Sequence, residues 1–315
     1  MGSVNLDNTG SGGGITLSSD GTSLLLDGTA IGGGGGADLY AANEVTPAAQ
    51  PNATGGNAIA IGDSATASGA DAFGIGLSAS ASGNFSVAIG RLASATTNYT
   101  LALGYNSDAD GSSSNSIGIN TTASSSYSTS LGASSAGSGA TTAIGLGAMA
   151  LGGSYASGAD SFAAAIANNT SSYGATGYGS FAIGNQAKAS GSLSFAIDYQ
   201  AQATGIASRA IGYQALSSGT NSFAIGRNAN ATGVYSYAIG ASKSEINGKL
   251  TYGSGQFSAV GDVQSGQFIL RSDTTDATAE ALTTDNSSAI TANQVILPNN
   301  SAYAFHGTIV ARQSA

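Results

Sequence analysis

Residues 221–233 read NSFAIGRNANATG, and the phrase recurs along the chain. Near copies are NAIAIGDSATASG from Asn57, SFAIGNQAKASG from Ser180, SFAIDYQAQATG from Ser194 and RAIGYQALSSG from Arg209. Aligned on the residue before the motif glycine, the copies place Ile61, Ile75, Ile89 and Leu103, and later Ile183, Ile197, Ile211, Ile225 and Ile239, in one evenly spaced row. The period is fourteen, the step from Ile61 to Ile75 and again from Ile183 to Ile197. Each unit alternates up to the Ile, places a Gly next, then Ala four and six residues on and Gly eight on, as in Ile225, Ala229, Ala231 and Gly233.

Alternation of period 2 predicts short strands. The glycines after the Ile row, Gly62, Gly76, Gly90, Gly184, Gly212, Gly226 and Gly240, stand where a turn needs positive φ or close backbone approach. Two strands of about five residues and two turns account for one coil. A coil this small cannot bury a face by itself, so coils stack, each strand pairing with its equivalent at about 4.8 Å. The run from Ile61 to Ile239 then makes a column on the order of 60 Å long.

The Ile row is expected to line one side of a thin interior, with the Ala pair as the opposing small-residue layer. The apolar residue two before each Ile, such as Phe73, Phe181 or Phe223, shares the Ile face. A roll this narrow buries too little surface to be stable alone, so three or more columns are expected to pack together as an obligate homotrimer. Between the regular runs the register blurs through Ile119, Leu131, Ile144 and Ile166, and residues 153–160, GSYASGAD, read as inserted.

The 315-residue composition agrees with a thin repeat protein: 48 Gly, no Trp and 8% charged residues leave too few large side chains for a thick core, yet 41% apolar residues oppose disorder. Net charge is −9 and the 8 basic residues are dispersed, which argues against nucleic acid as a partner. With no Cys, disulfides and thiolate metal sites are excluded. The N-terminal MGSVNLDNTGSGGG lacks a basic segment followed by an apolar one, and no apolar run nears the roughly 20 residues of a membrane-spanning helix. The expectation is a chain made in a cytoplasm and not inserted in a membrane.

Four regions follow. Residues 1–36 form an attachment or capping element, with two strands around Asp20-Gly21 and a hinge at residues 32–36. Residues 37–56 are a linker and 57–242 the repeats. Residues 243–315 are a C-terminal β domain with strand-like stretches SGQFILRSD, NQVILPNN and AYAFHGTIVARQ, ending just after what reads as a strand.

The unit N-S-x-A-I-G-x-x-A-x-A-S/T-G, over roughly residues 57–242, resembles the head repeat of YadA-type trimeric autotransporter adhesins. The resemblance implies a left-handed parallel β-roll assembled as a trimer. Departures from an autotransporter are the missing signal, heptad stalk and membrane-barrel strands. The C-terminal stretch QFILRSDTTDATAEALTTD with VILPNNSAYAFHGTIVAR is similar instead to end domains of tailed-bacteriophage structural proteins. The resulting expectation is a virion fibre or spike that contacts the host surface, anchored to other virion proteins through its N-terminal region. The alternative is the passenger head of a bacterial surface adhesin.

Candidate sites are few. The tyrosines Tyr99, Tyr105, Tyr127, Tyr155, Tyr173, Tyr178, Tyr199 and Tyr213 suit glycan or protein contact, having an apolar face and a polar tip, and Tyr105, Tyr127, Tyr155, Tyr173 and Tyr178 fall in the less regular coils where a loop could bind; packing at the roll's edge is the competing reading. Asp108-Ala109-Asp110-Gly111 reads as a turn rather than a calcium loop, since residues 112–115 add no charged ligand. Asp273, Asp276, Glu280 and Asp285 would have to supply any glycan-hydrolysing pair. His306, the single histidine, lacks a nucleophile or ligand companion. The expectation is no enzyme, no cofactor and no metal. Ranks of Thr-x-Thr, which an ice-binding column needs, are replaced by Ala-x-Ala.

Overall fold

The computed structural model describes residues 50–133, 140–164, 172–274, 276, 278–297 and 302–310, and four short strands before residue 50. Among these residues there is no helix. Two long parallel sheets run the length of a β-solenoid of about 13 turns. One is built mainly from three-residue strands such as Ile59–Ile61, Phe73–Ile75 and Val87–Ile89; the other from two-residue strands such as Asn52–Ala53, Thr66–Ala67 and Ser80–Ala81. Every strand pairs with its equivalent one coil away: Ile59 with Phe73, Ala60 with Gly74, Ile61 with Ile75. The sheets begin at Asn52–Ala53 and carry parallel pairing to Leu250–Gly253, taking in residues the repeat motif alone assigns to its flanks.

Register holds through the irregular centre. Ala143 pairs with Ala156, and Tyr155–Ala156 is a strand of the column, so residues 153–160 belong to a slightly shortened coil and are not an insertion. The extra residues lie elsewhere. Thr121 pairs with Thr141 and Ala156 with Ala175, both longer steps along the chain than the regular one from Ala67 to Ala81.

The interior is made of alanine. Ala65, Ala67, Ala81, Ala88, Ala95 and Ala102 are fully buried, with Ser86, Ser116 and Ser130 at equivalent inward positions. Ile and its partner two residues earlier point the other way, so the Ile row does not line the interior; Ile75 and Ile89 are only half-buried, on the outside. Space decides this. Two sheets joined by tight turns leave a narrow gap that Ala and Ser fill, with Thr at a few inward positions such as Thr121 and Thr251, and a rank of larger Ile side chains inside would force the sheets apart.

The turns rest on the left-handed region of backbone space. From Asn57 through Ser64, Asp71 and Ser78 to Tyr127, a non-glycine residue with φ between 50° and 60° recurs at every seventh position. Such a conformation costs an L-residue about 1–2 kcal/mol. The stack offsets it with hydrogen bonds between coils: Ser78 N–H donates to Asp63 C=O and Phe85 N–H to Ala70 C=O, both at 2.8 Å. Glycine is required at the turn after the Ile row. Gly226 has φ +115°, and a Cβ there would stand 2.9 Å from Gly240 Cα.

Before the column, Thr16–Ser19 pairs antiparallel with Leu24–Leu26, flanked by Val4–Asn5 and Thr29–Ala30; the expected turn at Asp20-Gly21 lies outside the described residues. The expected hinge at residues 32–36 lies outside the described residues, as does most of the linker. After the column, Ser265–Gln267 pairs antiparallel with the last parallel strand and Arg271 bridges Thr283. The other two strand-like stretches carry no strand in their described parts, residues 293–297 and 302–310. Their apolar residues stay largely uncovered; Ile309 is 91% exposed and Val310 88%.

Candidate interaction surfaces

The column presents two sheet faces and two corners, each with its own chemistry. The outward face of the three-residue strands is mostly apolar, interrupted by Asn115 and Thr129 in the less regular coils and by Arg209. Ile61, Ile75, Ile89, Ile183, Ile211, Ile225 and Ile239 form one rank, and Phe73, Val87, Leu101, Phe181, Phe195 and Phe223 stand in the other. Phe162, Phe181 and Phe195 stack ring on ring, each pair 4.8 Å apart. A stripe about 10 Å wide over such a column amounts to on the order of 600 Å², at the top of what a monomeric protein exposes. Arg209 is the one charged side chain in these ranks among the described residues, in register between Phe195 and Phe223.

The opposite face is polar. Thr66 Oγ1 donates to Ser80 Oγ at 3.2 Å, and Asp108 sits between Ser94 and Thr122 in the same rank. Asp108–Ala109 is therefore a strand, not the expected turn, which starts only at Gly111. Burial pushes the Asp108 carboxyl above its ordinary range, the neighbouring Asp110 adds to this, and Ser94 counters by hydrogen bonding. Its Oδ1 is buried without a hydrogen-bond partner.

At the corner after the Ile row, side chains form ladders. Gln214 donates its amide to Gln200 and Gln200 to Gln186, both at 2.7 Å. Beside them Tyr199 and Tyr213 stack at 5.2 Å, and the Arg227 guanidinium lies 5.6 Å from the Tyr213 ring centre. Tyr105 occupies the equivalent position in an earlier coil, with Arg91 at 5.6 Å.

The five tyrosines of the less regular coils do not form one patch. Tyr127 and Tyr178 stand exposed at the corner opposite Tyr105, Tyr155 lies on the polar sheet face beside Thr142, and Tyr173 is half-buried just before Gly174. Tyr199 and Tyr213, which do stand together, lie in regular coils, and their separation by one repeat period is the signal that joins them.

Beyond the column, Asp273, Glu280 and Asn286 help line a cavity of about 490 Å³. The carboxylates there tie turns: Ser272 Oγ donates to Glu280 at 2.8 Å and Asn286 Nδ2 to Asp273 at 3.0 Å. Hydrogen bonds from Thr278 hold Asp276 below the usual carboxylate range, and those from Ser287 and Asn293 do the same for Asp285. A general acid for glycoside hydrolysis needs the opposite shift. His306 is exposed. Among the described residues no group of three or more His, Cys, Asp or Glu could hold a metal ion, and no helix is long and apolar enough to cross a membrane.

No curated protein matches the chain. The family model of the YadA head domain repeat, two copies long, matches residues 53–79, 68–93, 81–107, 175–197 and 203–229. Each span covers about two coils, and the spans flank the centre where the extra residues fall. Over those residues the β-solenoid of this chain is thus similar to the YadA head domain repeat.

Proposed function

We propose that the chain is the subunit of a trimeric, adhesin-like fibre whose column is a rigid shaft and whose corners meet a target surface. The observation that carries this reading is the uncovered apolar stripe on a column of YadA head domain repeats. Three parallel columns with their stripes turned inward remove it from water. The reading calls for binding, not catalysis: the aromatic and amide ladders offer ring edges and hydrogen-bonding groups suited to a host-surface glycan or protein. Light scattering of the native chain tests the assembly, with a mass near three times 30.3 kDa expected and a stable monomer overturning it.

Within this reading the fibre belongs to a tailed-phage virion, anchored through the N-terminal strands to other virion proteins. The similarity of the C-terminal stretch to phage end domains supports this. The second reading, a passenger head of a bacterial trimeric adhesin, is favoured by the repeats themselves. Immunogold labelling separates the two: label on purified virions supports the first and label on intact uninfected cells the second.

A further inference from the structure

The repeat is broken at two positions in adjacent coils, and the two breaks carry opposite charges. Arg209 stands where neighbouring coils have Phe195 and Phe223, and Asp198 stands where they have Gly184 and Gly212. Asp198 takes φ +99° between glycines at +121° and +126°, a region essentially reserved for glycine. Its carboxylate accepts from the N–H of Tyr199 at 2.7 Å and is exposed. Arg209 is exposed as well, reaching Ala207 C=O at 3.4 Å. The two do not pair within one chain, where the ion pair among the described residues is Lys243 with Glu245.

Their placement is directional. Arg209 lies at the entry edge of its three-residue strand on the apolar face, and Asp198 just past the exit edge of the strand one coil earlier. In a closed ring of parallel columns every contact is heterologous, so the entry edge of one copy meets the exit edge of the next. The height difference is one strand spacing, about 4.8 Å, which an arginine side chain spans. A guanidinium set among phenylalanines that become buried needs a partner. Between Asp160 and Glu245 the sequence holds one acid, Asp198. The other cations of these coils are placed otherwise: Lys188 on the polar sheet, Arg227 over Tyr213, and Lys243 beside Glu245.

We propose that Arg209 of each copy forms an ion pair with Asp198 of the adjacent copy. This rests on the trimeric reading above. Three such pairs in one layer fix the columns in register along an apolar stripe whose regular repeat would otherwise permit slippage by a coil. They also explain why a strained aspartate is kept where glycine fits.

The test is a double-mutant cycle on the full chain with Asp198→Asn, which retains shape and tolerates positive φ, and Arg209→Gln, with dissociation followed by light scattering on dilution. Each single change is expected to raise the half-dissociation concentration about tenfold, three pairs being lost per trimer, and the double change no more than the worse single. Wild type, but not the double variant, should weaken between low salt and about 1 M salt. Additive penalties in a three-chain wild type overturn the pair and leave the trimer standing; a wild-type mass of one chain overturns both.

Discussion

Phe181 and Phe195 occupy the same position in successive coils and stack at 4.8 Å, nearly parallel, on the outside of the column. The spacing is that of the strands beneath them, so the rings copy the sheet's hydrogen-bond repeat at the surface. In one chain each ring keeps an edge in water.

Phe181→Ala measures what covers that edge. A half-exposed ring in a monomer costs about 1 kcal/mol to remove, whereas one buried between columns costs about 3–5 kcal/mol per chain. The expected outcome is the larger loss, read from chemical unfolding, with a fall in scattering mass at low protein concentration.

Ala95→Leu tests the alanine interior. Ala95 is fully buried opposite another sheet, and the added carbons have no void to enter. The expected destabilisation is about 3 kcal/mol, at the upper end for overpacking. Ile89→Ala, on the outer face of the same region, should leave the coil intact by circular dichroism.

Gly226→Asp brings a side chain to φ +115° against Gly240 of the next coil. A loss of about 2–4 kcal/mol, or failure to fold, is expected. An unchanged thermal midpoint would contradict the coil geometry. The coil that holds Asp198 shows that one such residue is tolerated; a second on the same corner compounds the strain.

Asp108→Asn should stabilise the protein at neutral pH. The folded state raises this carboxyl above its unfolded value, so the folded form binds the proton more readily. Stability from this group is therefore greatest below the unfolded value near 3.8 and is lost as pH rises through the folded one. The wild-type thermal midpoint should approach that of the variant as pH is lowered toward 4, and the gap should be widest at pH 7.

The period, strand positions and turn glycines were legible because each depends on spacing alone. The inside of the roll was not. Alternation says that Phe195 and Ile197 share a face and Ala196 takes the other; a hydrophobicity ranking then puts the larger residues inward. The usable signal lay in comparing the two strands of a coil. Both sheets must share one interior, and the residue type common to both is alanine: Ala60 in one strand, Ala67 in the other. Residues 153–160 were misjudged for a related reason, because a shortened coil with Tyr155 in a strand hides the alanine grammar that Ala156 preserves. In the C-terminal region, alternation in 302–310 was real, but it fixes which side chains share a face and not which edge a strand joins, and no strand forms there although Lys243–Ser244 and Ser265–Gln267 end their sheets.

The left-handed residues at every seventh position do more than close the turns. Because the backbone there is held by bonds between coils, the turn does not dictate which side chain it carries: Asn57, Phe85, Leu92, Tyr99 and Gln200 occupy the same conformation with unrelated chemistry, and neighbouring coils match them in ladders such as Phe85 on Tyr99 and Gln200 on Gln186. Such a column behaves like a printing forme with fixed spacing and exchangeable type. Its apolar and alanine ranks are fixed by packing, while two lines of corners, each with a position about every 4.8 Å, accept new side chains without disturbing the frame.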